Sequence, residues 1–151
     1  MATEPAGTFV RIPLSDGSFG YGRVLEHPYM AFYDLRTAEP SSDLDAVEAR
    51  PILFRQAVRR RGDAWPVIGR RDLTGAAAEP VVQFTQDRAD WRKCTIFDTA
   101  GLERAATPQE CVGLERAAVW DMPHIEERLL DTFEGRPNGY EVRARVRLGP
   151  E

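Results

Sequence analysis

"TFVRIPLSDGSFGYGRVL", residues 8–25, is the stretch whose reading decides the fold. Val10, Ile12 and Leu14 alternate with Phe9, Arg11 and Pro13, the two-residue period of a strand with two distinct faces. Pro13 has no N–H to give a ladder, so the strand lies at an edge or ends there. Asp16-Gly17 comes next, and Asp-Gly between two alternating runs marks a hairpin; a primed turn there needs positive φ at both residues. The return run puts Phe19, Tyr21, Arg23 and Leu25 on one face and Gly20, Gly22 and Val24 on the other. Two small residues on one face leave room for a neighbouring side chain or backbone. So dense a cluster of glycines also raises the possibility of a phosphate-cradling loop. Such a loop sits between a strand and a helix, where backbone N–H groups and the helix dipole converge on the anion. No helix follows here, so the stretch reads as a hairpin.

Outward from the hairpin the chain continues in short β-like segments: 29–35, 51–58, 64–73, 80–87 and 91–98. Residues 36–50, "RTAEPSSDLDAVEAR", are polar and acidic and read as an exposed loop with a helical turn after Ser42. "TPQE", 107–110, is a capping box in which Glu110 reaches back to the Thr107 N–H, opening a short helix over about 108–112 that Gly113 ends. "MPHIEERLLDTFEG", 122–135, carries Ile125, Leu129, Leu130 and Phe133 on one stripe and predicts the main helix over about 122–134. "YEVRARVRL", 140–148, has the cleanest alternation in the chain and predicts a strand with an arginine row in solvent. Seven or eight strands with one main and one short helix define an α+β class: a mostly antiparallel curved sheet or a partly open β-barrel. One domain over 8–148 is expected, with flexible ends at 1–7 and 149–151.

The formal net charge is −4, distributed unevenly: −4 over residues 1–50, +3 over 51–100 and −3 over 101–151. The balance argues against a dedicated nucleic-acid binder. No apolar run approaches the roughly 18 residues of a membrane span, and "MATEPAGTF" has neither the basic start nor the apolar core of a signal peptide. Cys94 and Cys111 are too few for a disulfide framework and read as buried thiols of a cytoplasmic protein. His27 and His124 form no ligand pair with each other or with a cysteine, so no metal and no cofactor are expected. No catalytic set can be assigned. Cys111 near a helix start could be a lowered-pKa thiol, but it reads as packing. Glu126-Glu127 are adjacent on a helix and do not face each other. Arg59–Arg61, Arg70-Arg71 and Arg143, Arg145 and Arg147 read as a solvated face, because aromatics are not interleaved with them as a stacking platform requires.

"FVRIPLSDGSFGYGRVL", "MAFYDL", "WPVIGRRDL" and "PVVQFTQD", together with the later "CTIFDTAGLERAATPQECVGLERAAVWDMPHIEERL", resemble in order and spacing the immunity protein 26 family. The resemblance runs over about 8–148. It implies a small cytoplasmic α+β protein that protects a bacterium by binding the secreted toxin of a polymorphic or contact-dependent competition system. It brings no catalytic residues and no cofactor, and it names no particular toxin. A protein partner, with no membrane, nucleic acid or small molecule, fits this role; monomer and dimer stay open. An acidic surface would suit a basic toxin such as a nuclease. Asp34, Asp43, Asp45 and Glu48, in and beside the 36–50 loop, are the candidate contacts. Two other readings stay open. One is a small ligand-binding or hydrolytic β-barrel with a pocket lined by Tyr21, Tyr33, Trp65 or Trp91 and served by Cys111 or His124. The other is an RNA-binding β-barrel using the arginine rows.

Overall fold

A computed structural model describes residues 4–150. The opening hairpin pairs β1 (Thr8–Pro13) with β2 (Phe19–Val24), antiparallel, with Phe9 opposite Arg23 and Ile12 opposite Gly20. Its turn is not a primed two-residue one. Gly17 has φ +87° and, among the described residues, no non-glycine has positive φ, while Leu14 N–H donates to Ser18 O at 2.9 Å. The loop is therefore Ser15–Gly17, with glycine supplying the left-handed residue that closes a three-residue hairpin. The Asp16 carboxylate accepts bonds from the Ser18 hydroxyl and N–H and from Arg36, which hold its pKa down at about 2. Arg36 also binds Glu134, tying the hairpin tip to the far end of the main helix.

The sheet grows by β3 (Tyr29–Tyr33), antiparallel to β2, then by α1 (Leu44–Glu48) and β4 (Ile52–Arg59), antiparallel to β3. β5 (Val67–Arg70) returns to the other side of β1. After a 3-10 turn at Gly75–Ala78 come β6 (Val82–Gln86), β7 (Cys94–Asp98) and β8 (Glu103–Ala106), a second, antiparallel run. A 3-10 turn at Gln109–Cys111 leads to β9 (Glu115–Arg116), parallel to β6, and β10 (Val119–Asp121), parallel to β4. α2 (Met122–Glu134) and α3 (Gly139–Ala144) close the chain. The result is α+β. A six-stranded sheet of order β10-β4-β3-β2-β1-β5 and a four-stranded sheet of order β8-β7-β6-β9 are each mixed, and neither is closed into a barrel.

The six-stranded sheet is buried on both faces. Val10, Ile12, Val24, Met30 and Phe32 pack against Trp120, Met122, Ile125 and Leu129 from β10 and α2. Phe9, Tyr21, Leu25, Ala31 and Tyr33 on the opposite face pack with Val47 of α1 and Val81. The room left by Gly20 is filled by α2: a Cβ there would meet Leu129 Cδ1 at 3.3 Å. Phe84, Cys94, Ile96 and Cys111 form the core of the smaller sheet.

Several expectations are met. Seven of the read strands form, the main helix spans 122–134, and a helical turn follows Ser42. The capping box forms, with Glu110 Oε1 accepting the Thr107 N–H at 2.9 Å, though it caps a 3-10 turn rather than an α-helix. Two differ. β8, β9 and β10 are unread strands of two to four residues. Residues 140–148 form no strand: Asn138 Oδ1 accepts the Glu141 N–H at 3.0 Å and starts α3. Glu141 then pairs with Arg145 one turn on, so local bonds decide the segment. Of its alternating apolar residues Tyr140, Val142 and Leu148 stay 39%, 43% and 55% exposed, while Val146 packs against the core of the smaller sheet. Of the ends expected to be loose, 1–3 and 151 lie outside the described residues, while Gly7 N–H donates to Val24 O at 2.7 Å and Glu4 pairs with Arg60.

Candidate partner-binding surface

α1 carries two of the four candidate carboxylates, Asp45 and Glu48, and a third, Asp43, is its N-cap. It starts where it does because Asp43 caps it, its Oδ1 accepting the Ala46 N–H at 3.1 Å. Val47 is fully buried, and Leu44 packs over Gly69, where a Cβ would come within 2.7 Å of Leu44 Cδ1. With one side fixed in the core, the other turns Asp45 and Glu48, three positions apart, onto Arg71. Asp45 Oδ1 lies 2.9 Å from Arg71 Nη1, and the two carboxylates, Glu48 first, raise the Arg71 pKa above its ordinary value.

Glu48 also meets Arg23, the single charged residue on the aromatic face of β2. Arg23 is buried; its Nη1 lies 3.4 Å from Glu48 Oε2, and its Nη2 donates to the carbonyl oxygens of Arg71 (2.8 Å) and Asp72 (3.0 Å). Its guanidinium sits 4.3 Å from the Phe9 ring centre. A buried guanidinium needs such partners to offset its lost hydration. Asp34 stands apart, half-buried at the end of β3, with its N–H donating to Pro51 O at 2.8 Å.

The structure thus brings Asp45 and Glu48 together, uses Asp43 as a cap and leaves Asp34 separate. Asp43 and Asp45 are exposed, Asp45 with 86% of its side chain in solvent, while Asp34 and Glu48 are half-buried. Sequence reasoning missed Arg23 and Arg71, which neutralise part of this acidic segment. A lone arginine among Phe19, Tyr21 and Leu25 was the available signal.

The residues named for a pocket are dispersed: Tyr21, Tyr33 and Trp65 are core residues, and Trp91 is half-buried ahead of β7. Cys111 is buried beside Cys94, and burial pushes its thiol up to about 11, away from nucleophile behaviour. His124 stacks on Tyr140, ring centres 4.0 Å apart, and lines two surface clefts whose walls do not include Cys111. The arginine rows are mostly paired: Arg59 with Asp121, Arg60 with Glu4, Arg70 with Asp72, Arg145 with Glu141. Among the described residues no group of three or more His, Cys, Asp or Glu is placed to hold a metal ion, and no helix is long and apolar enough to cross a membrane.

The fold and the site define a small α+β protein whose candidate site is a surface of charged side chains on α1 and its cap. The particular family is shown by its model, described as Immunity protein 26, which matches residues 5–95: the chain belongs to the immunity protein 26 family. That match takes in β1 to β6 and the first residues of β7, and leaves β8 onward outside it. No curated protein and no solved structure matches the chain.

Proposed function

We propose that the protein is an immunity protein that binds the cognate secreted toxin of a bacterial competition system in the cytoplasm and neutralises it by occupancy, without chemistry of its own. The family match over 5–95 is the observation that carries this reading. The acidic surface of Asp34, Asp43, Asp45 and Glu48 is the contact set, and the rigid seating of α1 on Val47 and Leu44 supports it. A pre-ordered charged surface loses little entropy on docking and speeds encounter with a basic partner.

The test is co-expression with the C-terminal domain of the toxin encoded beside it. Restored growth and a complex that co-purifies are expected; neither rescue nor complex would refute the role. Within the contact set, Asp45→Lys and Asp34→Lys are the informative changes, because Asp43 also caps α1 and Glu48 also anchors Arg23. Asp45→Lys is expected to slow association roughly three- to tenfold at low salt with only a small loss of thermal stability, since the Arg71 pair it removes is exposed. An association rate equal to wild type would remove Asp45 from the interface.

A further inference from the structure

At one end of the six-stranded sheet, the turn after β2 and the turn after β4 enclose a cleft of about 620 Å³. Its floor is aliphatic, made of Val24, Met30 and Val58, all buried. Val119 of the edge strand β10 stands in its wall with 54% of its surface exposed. Its rim is Arg59, Arg60 and Arg61, and Glu4 is the one acidic residue in the lining. The three guanidiniums are differently committed. Arg59 meets Asp121 at 3.2 Å, with both side chains half-exposed. Arg60 is held by Glu4 and lies 5.4 Å from the Trp65 ring centre, yet its Nη1 is buried without a hydrogen-bond partner. The Arg61 side chain has no ion-pair or hydrogen-bond partner among the described residues; only its N–H is engaged, toward Met122 Sδ. A chain of net charge −4 therefore concentrates positive charge around one of its apolar clefts.

We infer that this cleft receives an acidic segment of the toxin, an aliphatic side chain seated on Met30 and Val58 with flanking carboxylates on Arg61 and on the half-exposed Arg59. The inference rests on the toxin-binding reading above and adds a second contact, of opposite sign to the α1 surface. Charge and shape select this occupant. A forked guanidinium matches a carboxylate in two-point fashion. The floor offers methyl and thioether groups; the aromatic rings in the lining are His27 and Tyr29, and Tyr29 packs partly into the opposite core, so the cleft has no run of stacked rings such as single-stranded nucleic acid uses. Two patches of opposite sign on one molecule also fix the register of docking, since a reversed partner meets like charge.

The experiment uses the full chain, ¹⁵N-labelled, titrated with a synthetic peptide of alternating glutamate and leucine, with its lysine–leucine counterpart, and with an oligouridine. The acidic peptide is expected to shift the amides of Met30, Val58 to Gly62 and Val119 at millimolar concentration, and the lysine peptide to leave them unmoved. Arg61→Glu, an exposed change that leaves the fold intact, is expected to weaken the acidic peptide roughly tenfold. Val119→Asp is expected to abolish its binding while the spectrum stays dispersed. Absent or scattered shifts, equal affinity for Arg61→Glu, or tighter binding of the oligouridine to the same amides would each overturn the inference. None of these readouts involves the toxin, so their failure is separate from failure of rescue in the co-expression test.

Discussion

Arg23 and Arg128 stand on faces that the sequence otherwise reserves for apolar side chains, and each is buried with a built set of partners. Arg128 donates from Nη1 and Nη2 to the two oxygens of Glu115 at 2.8 and 2.9 Å and lies 3.7 Å from the Phe54 ring centre. Removing one member of such a pair strands the other's charge. Arg128→Ala is expected to cost about 3 kcal/mol, the lower end of the usual range because Glu115 keeps 25% of its side chain in solvent. The double change Arg128→Met with Glu115→Leu should recover most of the loss. Urea unfolding checks both, and a loss for Arg128→Ala below about 1 kcal/mol would show that the pair is idle. Cys111 makes a second residue-level expectation. Its thiol rises from 9.0 to about 11 through burial first and the neighbouring Cys94 second. The folded chain then holds a proton that the unfolded chain releases, so stability falls as pH climbs from about 9 to about 11. Thermal midpoints at neutral pH and near pH 10 should drop less in Cys111→Ala than in wild type; equal drops would contradict this.

At the scale of elements, the glycine face of β2 is a helix seat. Gly20→Val brings a branched side chain against Leu129 and is expected to cost about 1–3 kcal/mol by displacing α2. Adding Leu129→Ala should return part of that loss, and urea unfolding in which the double change is simply additive would rule out their contact. The hairpin, α2 and the longer strands were legible because periodicity, capping and stop signals agreed over many residues. β8, β9 and β10 were not, because strands of two to four residues carry too few positions to show a period, and tertiary pairing alone creates them. The segment 140–148 has strand periodicity but no pairing partner, and the Asn138 cap and the Glu141–Arg145 pair turn its first part into α3. The candidate contacts were legible as residue types and not as a surface. Asp45 and Glu48 meet Arg71, and Glu48 meets Arg23, across more than twenty positions of chain, a distance over which local pattern says nothing.

Across the whole molecule, the two sheets meet at a short chain of buried polar groups. Gln83 of the smaller sheet donates to Gln56 of the larger at 2.8 Å, and Gln56 donates to Glu115 at 3.2 Å, which in turn holds Arg128 of α2. The family-matched residues 5–95 supply only part of this assembly. Trp120, Met122, Ile125 and Leu129, all beyond residue 95, cover the face formed by Val10, Ile12, Met30 and Phe32. Burying a large apolar side chain is worth about 1.5–3 kcal/mol, so these four contribute roughly 6–12 kcal/mol. That is comparable with the whole stability of an ordinary domain, about 5–15 kcal/mol. A chain ended at residue 95 would also lose the parallel pairing of β10 on β4 and expose the apolar face under α2. It is expected to show no cooperative thermal transition by circular dichroism and to bind a hydrophobic dye. A sigmoidal transition with native-like aromatic ellipticity in that truncated chain would mean that the matched segment carries its own core. The α1 surface and the arginine rim would then belong to an independent unit, the cleft would lack its Val119 wall, and α2 would be an appendage. If instead the truncated chain fails to fold, both proposed surfaces depend on α2, which holds the sheet from the face opposite α1.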